Sequence, residues 1–589
     1  MDPITRTCDR IRFPLHCHGA VGGVALVALL IAALPAAAQL PSIAAAQRST
    51  SADVRTGHAA SAGSEASVAT SVQGERAAPQ ADVAAYLRAR VADADGRVAL
   101  AVTDYDRALR DTPADPVVAI RSYREAVQAG DYALADRAAA ILARAGVLPN
   151  DAPLLALAAA ARAHDRAAVE RALAALDATP LKILAAPLRA WAALEWRDDP
   201  YAILAARPAD AVARRFVAET RALILLAQGR SDEGLAALRP LLGNDEASVD
   251  TRIAAARLLI ARGKPDRARA LLTGETPPEV AVRARPTKQV SGRPEPRLAF
   301  GLSWLLTRVA SDLALGPPGG LTYTLTQGAL RADPTNDRAR LLLAAALSKD
   351  KATDRALVVL GQVDPRGIYA AQATAGRVQV LADAGRTEEA LRLAEPLGTP
   401  ADANVADVQR LADLYMRLER ARDAAPLYRR LAERPSADWA DWLQYGAALD
   451  RANDWPAARA ALERAHALAP EQPLVLNYLG YALTEHGERP AEAQAMLQQA
   501  ARARPDDPAI ADSLGWALFR AGQTQRALPL IERAAAEDPA NAEIGEHLGD
   551  LYWRIGRRYE ARYAWAAARV SAETPTVAQR LAGKIANGL

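Results

Sequence analysis

The chain has 589 residues, more than one ordinary hydrophobic core organises. Hydrophobic residues make up 51 % and aromatics only 5 %, an Ala- and Leu-rich balance that suits helices and argues against a strand-rich fold. A net charge of +3 gives no global field toward a polyanion, so nucleic acid is not expected as a partner.

Residues 1–38 read as a signal peptide. Arg6, Arg10 and Arg12 precede an uncharged apolar run from Val21 to Leu34, and Ala36, Ala37 and Ala38 before Gln39 offer a small-residue cleavage site. That run is shorter than the ~20 residues of a membrane span, so no integral span is expected after cleavage. Both cysteines, Cys8 and Cys17, precede the run; the processed chain would then hold no disulfide, thiolate nucleophile or Cys-ligated metal. Residues 39–80, rich in Ala, Ser, Gly and Thr without helical period, read as a disordered tether.

Residues 81–210 read as divergent N-terminal helical hairpins: 117–129 with 133–145, 154–163 with 167–176, and a weaker pair, 182–196 with 201–206. Pro187 is expected to end or kink the first helix of that weaker pair early. Repeat-like spacing appears in 211–273, where Ala222 and Ala256 stand 34 apart and Gly234 and Ala268 follow in step. Residues 274–298 are an insertion rich in proline and arginine, with Pro277, Pro278, Pro286, Pro294 and Pro296 among Arg283, Arg285, Lys288, Arg293 and Arg297. A solvated loop that lets the array run straight through is expected there; the alternatives are a hinge between the two arrays or a basic segment that docks an acidic partner. A C-terminal repeat array over 299–570 and a capping helix over 571–589, with Val577, Leu581 and Ile585 at four-residue steps, complete the chain.

The repeat is clearest over 439–570. Gly446, Gly480, Gly515 and Gly549 are spaced 34, 35 and 34 residues apart. After each comes an alanine (Ala458, Ala493, Ala527, Ala561), and four residues further a large side chain (Leu462, Leu497, Ile531, Trp565). Pro470, Pro505 and Pro539 close three units, as a residue without an N–H stops a helix. Sliding the period backward finds Ala412, Val378, Ala344 and Ala310, followed by Ala424, Ala390 and Ala356, with Thr322 in place of the alanine of the Ala310 unit. Small residues let helix A and helix B of one unit approach closely, and the bulky ones fall on one face. This pattern resembles the W-x2-L-G-x2-Y…A-x3-F…P signature of the tetratricopeptide repeat. The resemblance implies an all-α fold, an α-solenoid whose helix hairpins stack into a right-handed superhelix, each touching only its neighbours.

No G-x-x-x-x-G-K-[ST], H-E-x-x-H or G-x-S-x-G occurs, and His164, His466, His486 and His547 stand singly. No catalytic residue, metal site or cofactor is expected, and each histidine reads as solvated or partly packed. Family geometry implies that helix-A side chains line a concave groove. Counting from the glycines, these are Asn477, Tyr481 and Glu485, then Asp512, Trp516, Phe519 and Arg520, then Glu546, Asp550, Trp553 and Arg554. Aromatic and arginine anchors alternating with charge suit an extended peptide; the alternative is that Phe519 and Trp553 pack between helices.

The phrases Leu474-Val-Leu-Asn-Tyr-Leu-Gly-Tyr481, Asp512-Ser-Leu-Gly-Trp516 and His547-Leu-Gly-Asp-Leu-Tyr-Trp-Arg-Ile-Gly556 resemble secreted proteobacterial members of this family. One such type is an outer-membrane lipoprotein adaptor that presents murein hydrolases to a periplasmic carboxyl-terminal processing protease; this chain lacks that type's lipobox cysteine. The resemblance implies a non-enzymatic periplasmic scaffold of the cell envelope that binds proteins, such as a periplasmic protease or murein hydrolases. The alternative is a periplasmic component of exopolysaccharide assembly or export.

Overall fold

The computed structural model describes residues 83–284 and 297–589, apart from 207, 244, 275, 315, 318 and 573. The expected signal peptide and tether, both cysteines, and Arg285, Lys288, Arg293, Pro286, Pro294 and Pro296 lie outside these residues. Thirty α-helices and no strand are found among the described residues, and no helix is long and apolar enough to cross a membrane.

Two compact units are distinguished, one within Cys17–Val380 and one over Leu381–Leu589. The first begins with three helix pairs: α1 (Val83–Ala94) with α2 (Val98–Asp111), α3 (Pro116–Ala129) with α4 (Tyr132–Arg144), and α5 (Ala152–Ala163) with α6 (Arg166–Asp177). A 3-10 turn (Pro180–Leu184) leads into α7 (Ala185–Glu195), then α8 (Pro200–Ile203). Next come α9 (Ala211–Ala227), α10 (Ser231–Leu238), α11 (Glu246–Ala261), α12 (Pro265–Leu271) and α13 (Pro277–Ala284). Then follow α14 (Leu298–Leu313), α15 (Gly320–Ala332), α16 (Asp337–Lys349), α17 (Thr353–Gly361) and α18 (Ala370–Asp383), within which the division falls. The second unit holds α19 (Thr387–Gly398), α20 (Val405–Arg417) with α21 (Ala421–Ala432), and α22 (Trp439–Arg451) with α23 (Trp455–Leu468). It continues with α24 (Pro473–Glu485) and α25 (Pro490–Ala503), α26 (Pro508–Arg520) and α27 (Thr524–Glu537), α28 (Ala542–Arg554) and α29 (Arg558–Val570), and ends at α30 (Pro575–Asn587).

The register follows the expected chemistry. A methyl group on Gly446 would come 2.7 Å from Leu462, on Gly480 2.9 Å from Leu497 and on Gly515 2.6 Å from Ile531, while on Gly549 it would overlap the Trp565 indole. So each small helix-A position faces the large residue on helix B. Ala310, Ala344 and Ala412 are all buried, as are the helix-B alanines Ala268, Ala356, Ala390, Ala424, Ala458, Ala493, Ala527 and Ala561. Helix A usually opens on an Asp or Asn whose side chain accepts backbone N–H bonds (Asp210, Asp245, Asn336, Asn404, Asp438, Asp507, Asn541). One left-handed residue turns helix A into helix B: Lys351, Gly385, Glu419, Asn453, Gly487, Gly522 and Gly556 recur at the repeat period. The final helix packs as expected, with Val577 and Leu581 buried beside Ala561 and Trp565.

Three features of the first unit differ from the sequence reading. Pro187 does not break its helix: it lies in the first turn of α7, where its missing N–H would have had no intrahelical partner. The start of the insertion is not a solvated loop, since Pro277–Ala284 is a helix pinned to α11. Its buried Glu279 accepts from Arg252 Nε at 2.8 Å and from Thr276 Oγ1 at 2.7 Å, and Arg283 donates to the Leu272 and Gly274 carbonyls.

The third difference is topological. Contacts are not confined to successive hairpins, because α3, α5 and α7 lie against α14 and α15. Tyr132 Oη donates to Gln327 across 195 residues, Thr324 Oγ1 to Asp151 at 2.6 Å, the Leu298 N–H to Glu195 at 2.9 Å, and Arg355 to the Ala129 carbonyl. Helix α14 is consequently buried from Phe300 through Ser311, all the way round. Its inward-facing Arg308 is held by Asp312 and Glu219.

Gly515→Leu should cost about 1–3 kcal/mol by forcing α26 from α27, read as a lower denaturation midpoint. Glu279→Ala should cost about 3–5 kcal/mol, since it leaves Arg252 buried without its carboxylate. Unchanged unfolding curves would refute the packing described.

Candidate functional site

Helices α24, α26 and α28 are the A helices of three successive repeats, and α30 takes the next place beside them. Apolar residues facing helix B fix the rotation of each, which points its polar stripe at the neighbouring A helix. The result is a ladder across the repeats. Tyr481 Oη donates to Glu543 at 2.9 Å, and Trp516 Nε1 to Glu485 at 2.7 Å. Arg520 reaches the same Glu485 oxygen at 3.1 Å. His547 stacks on the Trp516 ring, centroids 3.9 Å apart, while its Nδ1 meets Asp512 at 2.8 Å. Glu546 binds Arg580 and Lys584 of α30 at 2.7 and 2.8 Å, and Asp550 binds Lys584 at 2.6 Å and accepts from Trp565 Nε1 at 2.9 Å. A second stack of the same kind lies upstream, where His486 covers Trp455 at 3.9 Å and meets Asp450 at 2.8 Å.

All eleven expected groove residues therefore lie on helix A, but they divide into two sets. Asn477, Tyr481, Asp512, Trp516, Glu546 and Asp550 are buried. Glu485, Phe519 and Trp553 are half-buried, and Arg520 and Arg554 are exposed. The structure thus places six of them inside the stack. At the last repeat the chain's own α30 takes up the carboxylates of Glu546 and Asp550.

His547, Arg580 and Lys584 were not among the expected site residues, yet they hold the ladder. A sequence signal existed, because opposite charges recur one period apart: Asp512 with His547, Glu485 with Arg520, Glu546 with Arg580, Asp550 with Lys584. His547 is not the solvated or partly packed side chain expected, since it is buried between Trp516 and Asp512.

Burial would lower the His547 pKa, but the Asp512 carboxylate and its hydrogen bond outweigh that and raise it to about 9. Burial likewise opposes ionisation of Glu546, which Arg580 and Lys584 overcome, lowering it to about 2. No cluster of metal-ligating side chains occurs among the described residues.

A family model described as tetratricopeptide repeat matches residues 225–274, and a second of the same description matches 410–473, 443–508, 477–542 and 513–576. No curated protein matches the chain. Among solved structures, a tetratricopeptide repeat protein from Parabacteroides merdae is 14 % identical over 43 % of this chain and 99 % of its own, with a TM-score of 0.39. A thermophilic protein of the same kind from Thermus thermophilus is 22 % identical over 31 % of this chain and 100 % of its own, at 0.28. The Cut9–Hcn1 hetero-tetramer of APC/C gives 15 % identity over 86 % of this chain and 96 % of its own, at 0.35.

A raised histidine pKa contributes stability that is full below about 6.5 and lost as pH rises through about 9. The second unit should therefore melt at progressively lower temperature over that interval, and His547→Gln should flatten the decline while lowering stability at pH 6. For Glu546 the loss comes as pH falls from about 4.5 through about 2. Thermal denaturation followed by circular dichroism across pH checks both.

Proposed function

Because this chain is a tetratricopeptide-repeat protein, we propose that it is a non-enzymatic scaffold that binds partner proteins along the helix-A face of its C-terminal repeats. The observation that carries this reading is a surface pair that recurs at the repeat period. The last turns of α26 and α28 end in Phe519-Arg520 and Trp553-Arg554, in each case a half-buried aromatic beside an exposed arginine. Phe519 rests against Trp516 and Arg520 is bonded to Glu485, while Trp553 packs on Trp565 beneath Arg558 and Arg562, so these three side chains are held before any partner arrives, which lowers the ordering cost of association. Aromatic and arginine side chains are the residues that most often dominate an interface. Glu485, half-buried one repeat earlier, is already bonded to Trp516 and Arg520 and so orients this row.

The finer reading places the scaffold in the periplasm, delivered by the signal at 1–38, where it presents substrates to a processing protease in cell-envelope maintenance. The lipoprotein adaptor type named above motivates this, and the groove chemistry of aromatics with alternating charge accords with an extended polypeptide.

The test is capture from a periplasmic extract by the full chain, followed by titration of the captured partner. Recovery of a serine protease or murein hydrolases supports the finer reading; recovery of polysaccharide-synthesis or export components replaces it with the export role. Phe519→Ala with Arg520→Ala, and separately Trp553→Ala with Arg554→Ala, should each weaken binding by about tenfold or more with helicity unchanged. Equal affinity in both variants would move the site elsewhere. Trp516 and Asp550 are unsuitable probes, since replacing them would break the ladder itself.

A further inference from the structure

A groove of about 730 Å³ runs between α25 and α27, the B helices of two successive repeats in the second unit. That is within the ~300–1,000 Å³ of ligand-binding clefts. Leu514 and Leu518 of α26 form its floor, with Ala501, Pro529 and Leu530 as its apolar flanks. None of its lining residues belongs to the helix-A row of Phe519, Arg520, Trp553 and Arg554, so its occupancy does not rest on the scaffold role.

The polar lining consists of Gln498, Arg502, Gln525 and Arg526, and it includes no carboxylate. Both arginines are exposed, and neither makes an ion pair among the described residues; Arg526 donates to the Gln523 side chain. A guanidinium in that state is suited to a bidentate pair with a carboxylate. Pro529 stands inside α27 and has no N–H to give the Gln525 carbonyl one turn earlier. The residue that carries this freed backbone acceptor lines the groove, and the Gln498 and Gln525 side-chain amides each add donors and an acceptor.

These features select the occupant's chemistry. Two cations with no counter-charge in the lining ask for carboxylates. Amide side chains and a freed carbonyl match the alternating N–H and C=O groups of an extended polypeptide, a pattern that a lipid headgroup does not offer. The leucine floor accepts an aliphatic side chain, which a bare polyanion lacks. We propose that this groove docks an extended acidic segment of a partner protein. Its carboxylates would lie on Arg502 and Arg526, and an aliphatic side chain over Leu514, Leu518 and Leu530.

The test is fluorescence anisotropy of a fluorescein-labelled peptide, Glu-Leu-Glu-Glu-Leu-Glu, titrated with the full chain. The peptide should bind, and forms with Gln for every Glu, or with Ser for every Leu, should each bind at least about tenfold more weakly. Arg502→Glu with Arg526→Glu should weaken binding about tenfold or more at an unchanged melting temperature. Arg107→Glu with Arg144→Glu makes the same charge change on exposed positions of α2 and α4, and should leave binding within about twofold. Pro529→Ala returns a donor to the Gln525 carbonyl, and should weaken binding about threefold at a melting temperature no lower than before. No change in anisotropy up to about 100 μM protein, or an equal loss in the two arginine pairs, would overturn the assignment. Tighter binding of phosphatidylglycerol vesicles than of the peptide would also overturn it, in favour of a lipid surface.

Discussion

Everything in the repeats depends on one close approach, that of a helix-A backbone to a large side chain on helix B. Where Gly446, Gly480, Gly515 and Gly549 stand, there is no space for even a methyl group before Leu462, Leu497, Ile531 or Trp565. That fit sets the rotation of helix A about its own axis. Rotation in turn determines which side chains meet the neighbouring repeat and which reach solvent. The ladder of Asp512, Trp516, His547, Glu546, Arg580 and Lys584 is thus a consequence of packing on the opposite side of the same helices. Small residues on one face position charged ones on the other.

Much of this was legible because the signal is periodic and local. The spacing of glycines and alanines located helices A and B in both units, and Val577 and Leu581 announced the final helix. What escaped lacks a period. Nothing in the alanine-rich 116–177 shows that it lies against α14 and α15, since alanine offers a smooth helical surface that fits many partners. One clue was available in Leu298–Leu313, whose mostly apolar circumference belongs to a helix enclosed on every side. Pro277-Pro278 read as a loop because proline disfavours helix interiors, yet at a helix's first turn it is well placed. Turn residues were only half visible: Gly385, Gly487, Gly522 and Gly556 have the expected left-handed backbone, but Lys351, Glu419 and Asn453 adopt it without being glycine.

For the candidate site, the sequence placed all eleven residues on helix A but did not tell which of them reach solvent. Counting positions from the glycine treats each helix A alone, whereas half of the stripe it selects is consumed by the next helix A. Asp512 and Asp550 look like free carboxylates in one repeat; set beside the residues one period later, they have partners. The charge periodicity pairs His547 with Asp512 but is silent on ring stacking, so the Trp516–His547 stack is recognised only once the helices are side by side.

The long-range bonds of the first unit set an order on the molecule's own making. A hairpin of the second unit closes on neighbours that emerge within one repeat of it. Ala129, by contrast, waits 226 residues for Arg355, which at a ribosome's pace of about 5–20 residues per second is a delay of roughly 10–45 s. Through that interval α3, α5 and α7 carry uncovered apolar faces, and a nascent chain in that condition is a natural client for a holding chaperone.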